Sequence, residues 1–356
     1  MRKHLFLFLV LSIPLLASGQ DNTPKYSNEF LSIGVGARGL AMSGSQTAHV
    51  GDITSAYWNP AGLTAMTGDF QVSLMHAEYF AGIAKYDYAG FGIRVDSLST
   101  FAASVIRFGV DDIPDTRFLY DANGAINYDR IRFFSAADYA FLLSYARRIP
   151  QWNNLQLGAN VKVIHRIAGD FASAWGFGID LGAQYKTGGW QFGVMLQDIT
   201  GTFNAWSHNA ELVTSIYTQT GNEIPQNSVE ITLPKMILGV ARNFDLSNFS
   251  LLVSADFITT FDGKRNTLIK SDPISIDPAL GVEVGYKQTA FLRLGVGDYQ
   301  QIKDFDGSTY ASYQPNFGVG ARLNNVQIDY ALTDIGNQAE SLYSHVFSIS
   351  IRFDKK

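Results

Sequence analysis

From Gly68 to the C-terminus the chain alternates apolar residues with small or polar ones at a period of two, segment after segment. Trp175, Phe177, Ile179, Leu181, Ala183 and Tyr185 alternate with Gly176, Gly178, Asp180, Gly182, Gln184 and Lys186. Leu280, Val282, Val284 and Tyr286 alternate with Gly281, Glu283, Gly285 and Lys287. Phe347, Ile349, Ile351 and Phe353 alternate with Ser348, Ser350 and Arg352. Successive side chains of a strand point to opposite faces, so each segment has one greasy and one wet face. The pattern predicts fourteen strands, at 69–77, 80–95, 98–109, 137–149, 152–167, 172–186, 188–198, 228–243, 248–261, 276–288, 290–300, 311–323, 325–334 and 341–353. Many of these are long enough to cross hydrocarbon when tilted. The second and third alternate least cleanly, and the pairing of 81–90 stays open.

The connections follow a rule of their own. Those after odd-numbered strands include the long ones, 110–136, 199–227, 262–275, 301–310 and 335–340. Those after even-numbered strands are tight, at 96–97, 150–151, 187, 244–247, 289 and 324. Long loops at one end and tight turns at the other suit an outer-membrane barrel, with extracellular loops and periplasmic turns. A soluble secreted all-β protein also alternates, but needs neither this regularity nor a greasy row all the way round. In lipid every backbone N–H and C=O must be paired, which a closed antiparallel sheet achieves without an edge. The expected fold is an all-β transmembrane antiparallel barrel of about fourteen strands, in contact with outer-membrane lipid. An even strand count puts both termini on one side, the periplasmic one.

The N-terminus reads as an export signal. Arg2, Lys3 and His4 precede the apolar run from Leu5 to Leu16, and Ala17, Ser18 and Gly19 offer a cleavage site. The expected division is a signal peptide at 1–19, a hatch or plug at 20–68 and the barrel at 69–353. Without 1–19 there remain 25 basic and 32 acidic residues, a net charge of −7, which gives nucleic acid no footing. There are no cysteines, so disulfides, thiolate metal sites and a lipoprotein anchor are excluded. No phosphate-cradling motif stands in the required strand–helix setting, and no cofactor is expected. His49, His76, His165, His208 and His345 are dispersed, and no catalytic constellation is readable, so an enzyme is not expected. Asp304 and Asp306, and the turn Asp111, Asp112 and Asp115, lack full calcium-loop spacing and read as solvated loop acids; no metal is placed.

Residues 20–68 carry Gly34, Gly36, Gly39, Gly44, Gly51 and Gly62 between apolar residues such as Leu40, Met42, Ile53 and Trp58. A segment so patterned is more than a linker, and it folds as a plug within the barrel or as a periplasmic flap. Short helices are open at 39–50 or 53–58. Pro60 keeps Asn59 out of the helical region. On the wet strand faces Arg94, Lys162, Arg166, Asp180, Lys186, Asp256, Glu283, Lys287, Arg293, Arg322, Asp329 and Arg352 either pair within a plugged lumen or line a solute path. Aromatic residues in the two longest loops, Phe118, Tyr120 and Tyr128 in the first and Phe203, Trp206 and Tyr217 in the second, are candidates for a surface binding site.

The stretch Gly36-Ala37-Arg38-Gly39-Leu40-Ala41-Met42-Ser43-Gly44-Ser45, followed by Ala56-Tyr57-Trp58-Asn59-Pro60-Ala61-Gly62-Leu63, closely resembles the N-terminal motif of the PorV/PorQ family of outer-membrane proteins. That family lies within the wider long-chain fatty-acid transporter barrel group. The motif is fairly specific, whereas the strand pattern, over 30–353, is generic. The resemblance implies a fourteen-stranded barrel with its N-terminal segment folded inside, in the outer membrane of a Gram-negative bacterium of the Bacteroidota. Gly36, Arg38, Gly39, Gly44, Asn59, Pro60 and Gly62 are then hatch residues and not a cargo pocket. Some relatives are accessory components of the type IX secretion system that bind secreted cargo or other envelope proteins; more distant ones admit hydrophobic solutes. The leading expectation is a non-enzymatic accessory or binding component of a secretion or envelope complex. The alternative is transport of a hydrophobic or amphipathic small molecule.

Overall fold

The computed structural model describes residues 27–354, apart from 122, 154, 222, 305 and 334–343. The expected signal peptide and the connection at 335–340 lie outside the described residues. The sheet is formed by β1 (Phe70–Tyr79), β2 (Ala84–Arg94), β3 (Ser99–Asp115), β4 (Arg132–Ile149), β5 (Leu155–Ala168), β6 (Ala172–Thr187), β7 (Trp190–Gln197), β8 (Thr202–His208), β9 (Ser228–Thr232), β10 (Lys235–Leu246), β11 (Phe249–Thr260), β12 (Ile269–Lys270), β13 (Ser275–Tyr286), β14 (Ala290–Lys303), β15 (Thr309–Leu323), β16 (Val326–Thr333) and β17 (Ser344–Phe353). Each strand pairs antiparallel with its neighbours, and β1 pairs with both β2 and β17, so the sheet closes on itself. The wall has fourteen staves: β7 with β8, and β9 with β10, are halves of single staves, and β12 is a short addition in a loop.

The outward rows are apolar over most of the circumference. Leu143, Leu181, Phe192, Leu280, Leu294 and Phe317 are all exposed, as side chains that meet acyl chains are. Phe70, Phe91 and Phe353 meet at the tight-turn end, with Phe70 stacked on Phe353 at 5.0 Å. The tight turns use left-handed backbone, as right-twisted hairpins require, at Gly188 and Gly189 (φ 56° and 81°) and also at Lys287 and Gln288 (φ 48° and 55°).

Three departures from the sequence expectations have physical causes. First, residues 80–83 form the β1–β2 turn instead of opening the second strand. Here the usual polarity is inverted near the loop end. Tyr79, Tyr86 and Tyr88 face inwards, while His76, Lys85, Asp87, Arg107 and Asp111 face outwards in an ion-pair network. Period-two reading cannot tell which face is which when both carry aromatic and polar groups. Second, the first long loop is shorter than expected, because β3 runs to Asp115 and β4 starts at Arg132. Third, the second long loop is partly wall. After Gln197 pairing lapses and resumes, with Phe203 opposite both Phe177 and Ile231. Only then does the chain leave the sheet, to form the helix Glu211–Thr220.

Candidate functional site

Residues 27–66 lie inside the barrel. They form two short helices, α1 (Ala37–Ala41) and α2 (Ser55–Trp58), and two 3-10 turns, at Glu29–Ser32 and Pro60–Ala65. Val35, Ala37, Ala41, Met42, Ile53, Ala56, Ala61 and Leu63 are wholly buried, so the middle of the lumen is packed.

The seat for this hatch is a belt of glycines on the inner wall. A Cβ at Gly158 would lie 2.4 Å from the Pro60 carbonyl carbon, one at Gly193 2.2 Å from the Thr47 oxygen, and one at Gly295 2.5 Å from the Met42 carbonyl carbon. Gly182, Gly239, Gly281 and Gly318 make similar approaches to Asn59, Ala48, Met42 and Ala41. The wet face of these strands is small because a backbone lies against it.

Polar anchors fix the hatch between these seats. The Gln46 and Thr47 N–H groups donate to Asp256 (3.1 and 2.9 Å). Asn160 donates to the Ala56 carbonyl at 2.7 Å. Arg38 grips Glu283 through two bonds of 2.8 and 2.9 Å. Arg293 joins Glu283 to Asp329 at 2.6 and 2.7 Å. Lys162 lies between Asp180 and Asp198 at 2.8 and 2.5 Å.

The motif residues therefore come together as parts of one internal scaffold. Asn59, in extended backbone, caps the 3-10 turn by accepting from Ala61 N–H, and donates to the carbonyls of Thr47 (2.8 Å) and Ala183 (3.1 Å). Pro60 follows at the first helical position, where no N–H is needed. At Gly62 a Cβ would fall 2.3 Å from the Val50 oxygen. Gly39 lies against the Trp58 indole, whose N–H donates to the Val35 carbonyl at 2.9 Å. Gly36 and Gly44 take positive φ (79° and 75°) around α1.

Nearer the loop end the lumen changes character. Met75, Tyr79, Tyr86, Ile106, Leu142 and Ile164 build an apolar, tyrosine-rich inner wall, filled by the chain's own Phe30, Leu31, Ile33 and Val35. Wet-face reasoning missed this compartment, and the only trace of it is the blurred alternation of the second and third strands.

The wall is irregular beside it. Between the Leu181–Leu196 and Phe177–Phe203 pairs, β6 advances four residues and its neighbour seven. Asp198 takes φ 56° and Gly201 φ 67° in this break. Ser27 and Asn28 are held across it: Ser27 donates to Glu230 (2.8 Å), Asn28 donates to Thr232 (2.9 Å), and Asn204 donates to both (2.6 and 2.8 Å). Behind lies a cavity of about 30 Å³ bounded by Leu31, Tyr57, Leu142 and Lys162, room for a water-sized occupant.

The six loop aromatics do not converge. Phe118 lies under the cations of Arg117 and Arg132 (5.4 and 5.1 Å). Tyr120 and Tyr128 are open to solvent, 63% and 72% exposed. Tyr217 is on the loop helix. Phe203 faces outwards from the wall, and Trp206 is in the wall beneath Arg166 (5.0 Å), so neither is a loop residue. The two loops are tied together by Arg117, which pairs with Asp115 (2.8 Å) and donates to the Leu212 carbonyl (2.7 Å).

No family model matches the chain, and no curated protein does. Solved structures do. The CymD monoaromatic hydrocarbon channel aligns with 13% identity and a TM-score of 0.56, over 91% of this chain and 98% of its own. The P. putida toluene transporter TodX aligns with 14% identity and a TM-score of 0.55, over 91% and 99%. A Pseudomonas aeruginosa FadL homologue aligns with 14% identity and a TM-score of 0.51, over 89% and 97%. The PorV/PorQ resemblance thus rests on the motif residues alone, while the barrel has the fold of the FadL-type proteins of the Gram-negative outer membrane.

Proposed function

We propose that the barrel passes a hydrophobic or amphipathic small molecule across the outer membrane and performs no catalysis. The observation that carries this reading is the apolar compartment occupied by Phe30, Leu31, Ile33 and Val35. Barrel interiors are ordinarily polar. Plugging alone is met by polar packing, as around Lys162, Glu283 and Arg293, and needs no greasy wall. The names of the structural neighbours, a monoaromatic hydrocarbon channel and a toluene transporter, support a ligand of this class. In the described state the N-terminal segment stands where a ligand would. Passage therefore requires residues 27–35 to withdraw, and the side-chain bonds of Ser27 and Asn28 at the wall break hold them in place.

The test is entry of a labelled hydrophobic probe, such as toluene, into cells with and without the chain. Faster entry with the chain, and faster still for Phe30→Ala with Ile33→Ala, is expected. Equal entry with and without the chain removes the proposal.

A second reading is favoured by the exposure of Tyr120 and Tyr128 above a packed lumen. In it the loops bind exported cargo or an envelope partner, as in type IX secretion in Bacteroidota, with the tight turns and both barrel termini in the periplasm. The hatch motif, from Gly36 to Gly62, then serves as a rigid support. Crosslinked affinity purification from native membranes separates the readings, since recovery of secretion components together with unchanged probe entry favours the second.

A further inference from the structure

We infer that the tight-turn mouth of the barrel contains a binding site for a small ligand bearing a carboxylate or phosphate group. The inner wall there is basic. Arg94, Arg148, Lys186 and Arg322 occupy the inward positions next to the tight turns that follow β2, β4, β6 and β15, and Arg352, paired with Asp354 at 3.9 Å, lies at the C-terminal end of β17. Arg94 and Arg148 spend a bond each on the carbonyls of Met66 (2.6 Å) and Thr64 (3.1 Å), which leaves their charge uncompensated.

Within this ring lies a cavity of about 250 Å³, far larger than the one at the wall break. Its wall includes Arg38, Lys186, Arg293 and Arg322. Arg38 and Arg293 are balanced by Glu283 and Asp329. Lys186 makes no ion pair among the described residues, and Arg322 is met only by the neutral amide of Gln327 (2.6 and 3.0 Å). Two cations therefore lack a bonded carboxylate, with Asp245 in the same lining and Asp52 acting on Arg322 only through space. Arg293 itself is buried and its charge is spent on Glu283 and Asp329, so Lys186 and Arg322 are the cations open to a ligand. Phe291, between the guanidinium groups of Arg293 and Arg322 (5.3 and 5.2 Å), gives the same cavity an apolar surface. Planar guanidinium groups beside an apolar ring suit an anionic head on a short organic body. The inference does not depend on the transport reading, because the site lies at the opposite end from the apolar compartment.

The experiment is calorimetric titration of the full-length protein in nanodiscs with hexanoate, inorganic phosphate and the uncharged hexanol. Saturable binding of hexanoate or phosphate, but not hexanol, is expected. Lys186→Gln with Arg322→Gln should weaken it by about tenfold or more, the scale of losing a charge-assisted hydrogen bond. Neither residue is part of the buried ion-pair network, and heat-modifiable gel mobility confirms folding. Lys264→Gln, which removes one charge from an exposed loop, should leave binding unchanged. Stronger binding of hexanoate marks the head of an amphiphile, and stronger binding of phosphate a free anion; both support the site. Equal binding of hexanol and hexanoate, no titration of either anion, or full binding by the double variant would overturn it.

Discussion

Lys162 is the side chain on which the buried electrostatics beside the wall break turn. It sits between two buried carboxylates, Asp180 and Asp198, and Asp198 also receives the Thr202 hydroxyl at the wall break. Lys162→Met would leave both acids buried without a cation. The expected loss is about 3–5 kcal/mol, read as a lower urea midpoint for the refolded protein. Adding Asp180→Asn and Asp198→Asn should restore much of it. A second residue-scale prediction concerns the first loop. The Asp121 carboxylate accepts N–H bonds from Ala125 and Asn123 (2.9 and 2.8 Å), and these hold it below the ordinary carboxylate range. A depressed value stabilises the turn above the unfolded-state value, and that stability disappears as pH falls through the folded-state value. Amide protection of Ala125 and Asn123, corrected for intrinsic exchange, should fall across that acidic window. Sequence reading had placed Lys162 and Asp180 on one wet face. Asp198 was out of reach, because its role depends on a left-handed kink that no periodicity encodes.

At the scale of elements, the glycine belt and the hatch make one joint. Gly158→Val with Gly193→Val would place side chains where Pro60 and Thr47 now lie, against backbone that cannot move aside. The expected outcome is a folded barrel with an unseated hatch. Limited proteolysis should then cut within 27–66, and bilayer recordings should show conductance absent from the parent protein. The belt was visible in the sequence as small residues alternating with greasy ones. Its purpose was not, because each glycine meets a partner about a hundred or more residues away in the chain. The same limit explains β8. Phe203 and Trp206 read as loop aromatics because the pairing that returns them to the wall follows a break in register. It also explains β1 to β3, where aromatic and charged groups exchange sides.

For the molecule as a whole, period-two alternation and the uneven connections were enough to reach a closed barrel, because lipid allows few other solutions. That reasoning makes a direct prediction. Val296 faces outwards near the middle of its stave, and Val296→Arg should cost about 2–4 kcal/mol in a bilayer, measured by equilibrium unfolding from liposomes. A charge at Lys264, in a loop, can be added or removed almost freely. Ligand class was not legible to the same degree, since it depends on what an inner wall offers once the plug is in place. The plug also dictates an order of events. Its contacts reach β13 through Arg38, β15 through Ser43 and β17 through Ala37, so it touches staves made near the end of synthesis. The seam of β17 on β1 is the last that the chain can close. Residues 27–66 must therefore wait, unburied, until the final strand arrives, and the cylinder is completed around an occupant already in position.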